Sequence, residues 1–243
     1  MRRANRLTLL VATAVVAGIA AAPGATLAET SSTLTFGLRL GVINFDGPCP
    51  TDAPTPSKCY PQSGTAIVRG LGKVDVEATH VADMRDGSCP HGSVRGTLTT
   101  RIGVLDFTGS ARGCVSQVWA YGDYDITFAG SGGYAGVTGS GTLSNGGSYR
   151  LSGALSSAVP VFDLTPPRLL GARNLTARAK SARGARVRYR VTAHDDVDGA
   201  RRATCRPASG ARFPVGRTRV TCRAVDLSAN SAVRRFVVLV KRP

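Results

Sequence analysis

Arg217-Thr218-Arg219-Val220-Thr221-Cys222-Arg223-Ala224 alternates without a break. Successive side chains of an extended chain point to opposite faces. Thr218, Val220, Cys222 and Ala224 therefore share one side, and Arg217, Arg219, Thr221 and Arg223 the other. The stretch predicts a β-strand with one buried and one solvated face. The same period recurs upstream, where Ala203 and Cys205 alternate with Arg202, Thr204 and Arg206, and Val187, Tyr189 and Val191 with Arg186, Arg188 and Arg190. Both cysteines fall on the inward set. A Cys205–Cys222 bridge would tie two strands together and stabilise them by about 3 kcal/mol.

Working outward, the rest of the chain carries the same signature. It has 243 residues, 29 of them glycine, and short Thr- and Ser-rich segments. No run downstream of the first residues keeps apolar side chains at helical spacing, so the fold class is all-β. Leu34 to Leu40 reads as a first strand. Pro48 to Pro61 reads as a proline- and cysteine-bearing loop, unable to pair inside a sheet. Ala66 to Val81 alternates again, and Gly92 to Val104, Val115 to Phe128, Gly136 to Leu143 and Ser148 to Leu155 follow. Asn145-Gly146 joins the last two as a hairpin, because both residues tolerate positive φ. Six to eight such strands form an antiparallel β-barrel or sandwich, and a barrel removes the exposed edges.

The first residues stand apart. Arg2, Arg3 and Arg6 precede an apolar run from Leu7 to Ala22. Pro23-Gly24 then breaks it, and Thr26-Leu27-Ala28 supplies small residues for a peptidase. Residues 1–28 are thus expected to be a secretory signal. The run is shorter than the roughly 20 residues of a spanning helix, and no transmembrane segment is expected in the mature chain. The mature part is long enough for two domains, each with its own core. The first spans 29–158, a proline-containing linker covers 159–167, and the second occupies 160–243.

Six cysteines, Cys49, Cys59, Cys89, Cys114, Cys205 and Cys222, make three disulfides in an oxidising compartment. The four cysteines of the first domain allow three pairings, of which proximity in sequence favours Cys49 with Cys59 and Cys89 with Cys114. A zinc site would want closely spaced pairs, and no C-x-x-C occurs.

Charge is strongly uneven. Residues 29–159 carry 9 basic and 10 acidic side chains, and residues 160–243 carry 19 and 5. The outward arginines Arg186, Arg188, Arg190, Arg217, Arg219 and Arg223 form stripes that would attract a polyanion. A plainer reading is codon bias, since arginine outnumbers lysine 27 to 4. A secreted chain is not expected to have nucleic acid as its physiological partner, which leaves an extracellular protein or an acidic cell-envelope polymer.

From Asp163 onward the chain resembles the hyalin-repeat (HYR) domain. The matching residues run from Asp163 and Thr165-Pro166-Pro167 through Val187, Tyr189 and Val191-Thr192-Ala193 to Asp195-Asp196-Val197-Asp198-Gly199. They continue through Cys205, Pro207, Phe213-Pro214-Val215-Gly216, Cys222, Asp226 and Asn230 to Phe236-Val237-Val238-Leu239-Val240. Ala229 departs from the pattern, which usually has glycine before the asparagine. The resemblance implies an immunoglobulin-like β-sandwich, an extracellular module linked to adhesion or protein contact, without catalytic residues of its own. Gly132 to Leu143 is similar to the glycine-rich hairpin of allene oxide cyclase-like and dirigent β-barrels. Its glycines permit tight turning and close backbone packing.

Chemistry-bearing constellations are sparse. His80, His91 and His194 belong to no nucleophile or metalloprotease motif. Trp119, Tyr121, Asp123 and Tyr124 are the best grouping for a pocket lining in the first domain. Asp195, Asp196 and Asp198 could hold Ca²⁺, with Asp226 and Asn230 contributing, although an Asp-Gly turn explains them too. No cofactor is expected. The sequence thus points to a non-enzymatic binding or adhesion protein. The alternative is a first domain that binds a small apolar ligand or acts as an isomerase-like enzyme.

Overall fold

Strand alternation accounts for most of the structure. The computed structural model describes residues 32–40, 47–117, 120–146 and 149–243, so the expected signal at 1–28 and Trp119 lie outside the described residues. Eight strands form the first domain: β1 Ser32–Leu40, β2 Ser57–Val68, β3 Gly72–Asp83, β4 His91–Thr99, β5 Gly103–Cys114, β6 Gly122–Gly132, β7 Thr138–Asn145 and β8 Tyr149–Ser157. They pair antiparallel in the order β1-β8-β7-β6-β5-β4-β3-β2. That is a meander in which β1 pairs non-sequentially with β8 and the sheet curls round.

Inward positions fill the curl. On β6, Tyr124, Ile126 and Phe128 are buried while Asp123, Asp125 and Thr127 are exposed. On β8, Tyr149, Leu151 and Leu155 are buried in the same way. The rings of Phe36, Phe107 and Phe128 meet at the centre, with centroids 5.6 Å and 6.1 Å apart. Eight strands leave an interior just wide enough for such side chains.

Several expected segments are corrected: Gly92 to Val104 crosses the turn between β4 and β5, and Val115 to Phe128 begins in the loop before β6. The proline-bearing loop ends at Pro56, because β2 begins at Ser57 and carries Cys59, Tyr60 and Pro61 in its ladder with β3. Pro61 is tolerated because β2 ends the sheet, where its missing N–H leaves no ladder bond unmade. The segment from Ala66 to Val81 is two strands, divided at Arg69-Gly70-Leu71 by a turn. The glycine-rich stretch is the β6–β7 hairpin. A Cβ at Gly141 would lie 2.0 Å from the Ser152 carbonyl oxygen of β8, so only glycine lets the strands approach this closely.

The second domain follows with β9 Arg168–Leu170, β10 Leu175–Arg178, β11 Ala185–Arg186, β12 Thr192–Asp195, β13 Gly199–Arg201, β14 Ala203–Arg206, β15 Arg212–Phe213, β16 Gly216–Val225 and β17 Ser231–Lys241. One layer is a four-stranded sheet, β10-β17-β16-β14, in which β10 runs parallel to β17. The other comprises β13-β12-β9 and the short β11–β15 pair. Between them lie Leu169, Val187, Ala193, Phe213, Val220, Cys222, Phe236, Val238 and Val240. Cys205 and Cys222 are direct register partners across β14 and β16 and are bonded. Cys49–Cys59 and Cys89–Cys114 bonds staple the first domain.

One buried group stands out. His80 of β3 is 0% exposed, wedged edge-on against the rings of Tyr124 and Tyr149 at 5.1 Å and 5.6 Å. Neither ring nitrogen meets a hydrogen-bond partner among the described residues. Burial pushes its pKa down from 6.5 to about 4. Between those values the unfolded chain takes up a proton that the folded chain refuses. Stability is therefore full above pH 6.5 and falls as the pH drops toward 4. Denaturant unfolding at pH 7 and pH 4.5 should show His80 contributing roughly 2–3 kcal/mol of the loss. In His80→Phe the pH-dependent loss should be smaller by that amount, and an unchanged loss would remove His80 from the account.

Candidate functional site

The pocket set of the first domain is not brought together. Tyr124 points inward, fully buried, its hydroxyl donating to the Ala120 carbonyl at 2.6 Å. Asp123, one residue earlier on the same strand, points outward into solvent. Strand geometry puts the two on opposite sides of the barrel wall, and Tyr121 is half-buried in the loop before β6. Asp125 pairs outside with Arg112 at 2.5 Å, and Asp75 with Lys73 at 2.9 Å. His91 and His194 are exposed. An open depression of 740 Å³ lies on the outer wall of the barrel between Glu77, Thr79, Arg95, Thr97, Asp106 and Thr108.

The second domain concentrates charge more sharply than alternation alone foretold. All six predicted arginines are exposed, but they occupy two surfaces. Arg186, Arg188 and Arg190 belong to the layer of β11 and β12. Arg217, Arg219 and Arg223 stand on the outer face of the four-stranded sheet. Register adds neighbours that the linear pattern did not single out. Thr221 is opposite both Arg206 on β14 and Arg235 on β17, and Arg178 on β10 is beside Lys241. The strands β10, β14, β16 and β17 contain no Asp or Glu. Among the described residues no ion pair engages Arg202, Arg206, Arg217, Arg219, Arg223 or Arg235. A shallow groove of 670 Å³ runs along this face, lined by Arg202, Thr204, Arg206, Thr221 and Arg223. Proximity of like charges there is tolerable only because the face is open to screening solvent.

All five acids of this domain gather at its other end, against the barrel. Asp163 leads in from the linker, Asp195 ends β12, Asp196 and Asp198 form the next turn, and Asp226 follows β16. Their roles separate. Asp196 is exposed and pairs with Arg168 at 3.2 Å. Asp195 accepts the backbone N–H groups of Val197 and Asp198 at 3.0 Å and 2.9 Å. Asp226 closes the next loop by accepting both the Asn230 backbone N–H at 2.7 Å and its side-chain Nδ2 at 2.9 Å. Asp198 accepts from the Leu227 N–H at 2.7 Å and pairs with Arg101 of the barrel at 3.2 Å. Oxygens of Asp163, Asp198 and Asp226 lie within 4.8 Å of one another. Of the expected trio only Asp198 belongs to this cluster: Asp196 pairs with Arg168, Asp195 accepts backbone N–H groups, and their places are taken by Asp226 and by Asp163, a residue that its distance in sequence kept out of view.

The two domains meet around this acidic end. Gly70, at the β2–β3 turn, donates its N–H to the Ser228 carbonyl at 2.7 Å. The Arg69 guanidinium donates to Asn230 Oδ1 at 3.1 Å and to the Leu164 carbonyl at 3.4 Å. Linker residue Phe162 is buried in the barrel core, its ring 6.1 Å from that of Tyr134.

Residues 162–240 match the HYR domain. No curated protein and no solved structure matches the chain. The likeness of 132–143 to allene oxide cyclase-like barrels rests on its own residues.

Two substitutions probe the junction. Gly72 has φ +78°, and a Cβ there would sit 2.1 Å from the Leu227 carbonyl oxygen. Gly72→Ala should displace the 226–230 loop and expose the 158–167 connection to protease, while wild type resists cleavage there. Ala229, which departs from the HYR pattern, has φ +64°. A left-handed non-glycine residue is strained, and Ala229→Gly should raise stability by about 1 kcal/mol in denaturant unfolding. No gain would mean that the loop relaxes without glycine.

Proposed function

We propose that this protein is a secreted, non-enzymatic adhesion protein whose HYR module holds an acidic polymer on the outer face of its four-stranded sheet. The observation that carries this reading is the charge of that face. Arginines from β14, β16 and β17 project from one surface, their strands supply no carboxylate, and no ion pair among the described residues neutralises them. A repeating anionic chain offers charges at intervals that a flat sheet can meet with many weak contacts. Three disulfides suit an oxidising, extracellular setting.

The barrel supports this reading as a carrier. Phe36, Leu98, Leu105, Phe107, Phe128 and Leu151 fill its interior, which favours recognition by the sandwich over capture of an apolar ligand inside the barrel. No helix among the described residues is long and apolar enough to cross a membrane.

The test is retention of the full chain on heparin across a salt series. Binding should weaken steeply with salt, because exposed charges are screened over about 8 Å at physiological ionic strength. A triple Arg217→Ser, Arg219→Ser and Arg223→Ser variant should bind about tenfold more weakly, whereas the same changes at Arg186, Arg188 and Arg190 should cost less. Equal loss from both triples would reduce the effect to net charge, and no binding by wild type at low salt would end the proposal.

A further inference from the structure

The acidic end of the sandwich holds more negative charge than the protein around it balances. Asp195 is 1% and Asp226 6% exposed, and the Asp198 side chain is 2% exposed. Buried carboxylates in contact normally have opposite charges or protons to offset their repulsion. Here Arg101 pairs with Asp198 alone, and Arg69 directs its guanidinium to Asn230 and Leu164. Two oxygens make the imbalance concrete. Asp163 Oδ2 and Asp195 Oδ2 are both buried, and neither accepts a hydrogen bond among the described residues.

The spacing fits a particular counter-charge. Oxygens that ligate one Ca²⁺ at 2.3–2.6 Å lie no more than about 5 Å apart. Oxygens of Asp163, Asp198 and Asp226 satisfy that limit at 4.8 Å. Each carboxylate oxygen has two lone pairs, so the bonds that Asp198 and Asp226 already accept leave capacity for an ion. Several carboxylates on three separate loops suit the flexible, oxygen-rich shell of Ca²⁺ better than the strict octahedron of Mg²⁺.

We propose that Asp163, Asp198 and Asp226, backed by Asp195, bind a Ca²⁺ ion that fastens the linker to the sandwich loops where they meet the barrel. This goes beyond the polyanion reading and stands without it, since none of these residues lies on the arginine face. The ion neutralises the excess charge and joins Asp163, which adjoins Phe162 of the barrel core, to the 195–198 and 226–230 loops. Affinity is expected in the extracellular range, with a Kd of about 10⁻⁴–10⁻³ M.

The experiment is calorimetric titration of the EDTA-treated full chain with CaCl₂, paired with thermal unfolding in EDTA and in about 5 mM Ca²⁺. Wild type should bind one ion and unfold at higher temperature with calcium. Asp163→Asn should lose both responses yet be at least as stable as wild type in EDTA, because it removes a repelling charge. Asp196→Asn, outside the cluster, should keep both. Absence of binding by wild type would overturn the proposal and leave protons to balance the cluster. A calcium response that survives in Asp163→Asn, or disappears in Asp196→Asn, would overturn the assigned ligands.

Discussion

Every feature of this molecule depends on one constraint: a strand must send neighbouring side chains to opposite faces. On β6 it puts Tyr124 in the barrel core and Asp123 in solvent. On β16 it puts Val220 and Cys222 in the sandwich core and Arg219 and Arg223 outside. A shift of one residue would bury the arginines and expose the core, so the apolar set fixes register strongly. The basic face is therefore a consequence of packing as much as of composition. Once Val220, Cys222, Val238 and Val240 are buried, the intervening residues have nowhere to go but outward.

Charge segregation follows from the same register. The four strands of the larger sheet carry no acid, so antiparallel pairing sets arginine opposite threonine, valine, leucine or cysteine and never opposite a carboxylate. The five acids occur only where strands end and the chain turns. Short polar side chains there serve the backbone: Asp195 and Asp226 accept N–H groups that a turn would otherwise leave unpaired. Because these turns meet at the barrel-facing end, the domain has a cationic sheet face and an anionic end. One suits many weak contacts with a long anion. The other suits a few strong contacts with a compact cation.

The junction shows how little separates linker from domain. Phe162 belongs to the barrel core, while Asp163, the next residue, faces the acidic loops. Between them the chain passes from one hydrophobic core to the polar end of the other. Direct bonds from Arg69, Gly70 and Arg101 to the second domain make this a defined contact as well as a connection.

The sequence by itself determined what is local. Period-two alternation made the chain all-β, the inward position of Cys205 and Cys222 placed them in one core, and an ordered set of residues from Asp163 to Val240 marked the HYR domain. Each of these signals is carried by neighbours along the chain. What only the tertiary structure decided depends on residues far apart in sequence. Alternation could not say that Arg186 and Arg219 belong to different surfaces, or that Arg206 and Arg235 flank Thr221, because register is set between strands. Nor could it replace Asp196 with Asp163 in the acidic cluster, since 32 residues lie between Asp163 and Asp196 and only folding brings the linker to the turn. The grouping of Tyr124 with Asp123 failed for the complementary reason: adjacency in sequence, within a strand, means opposite sides of a wall.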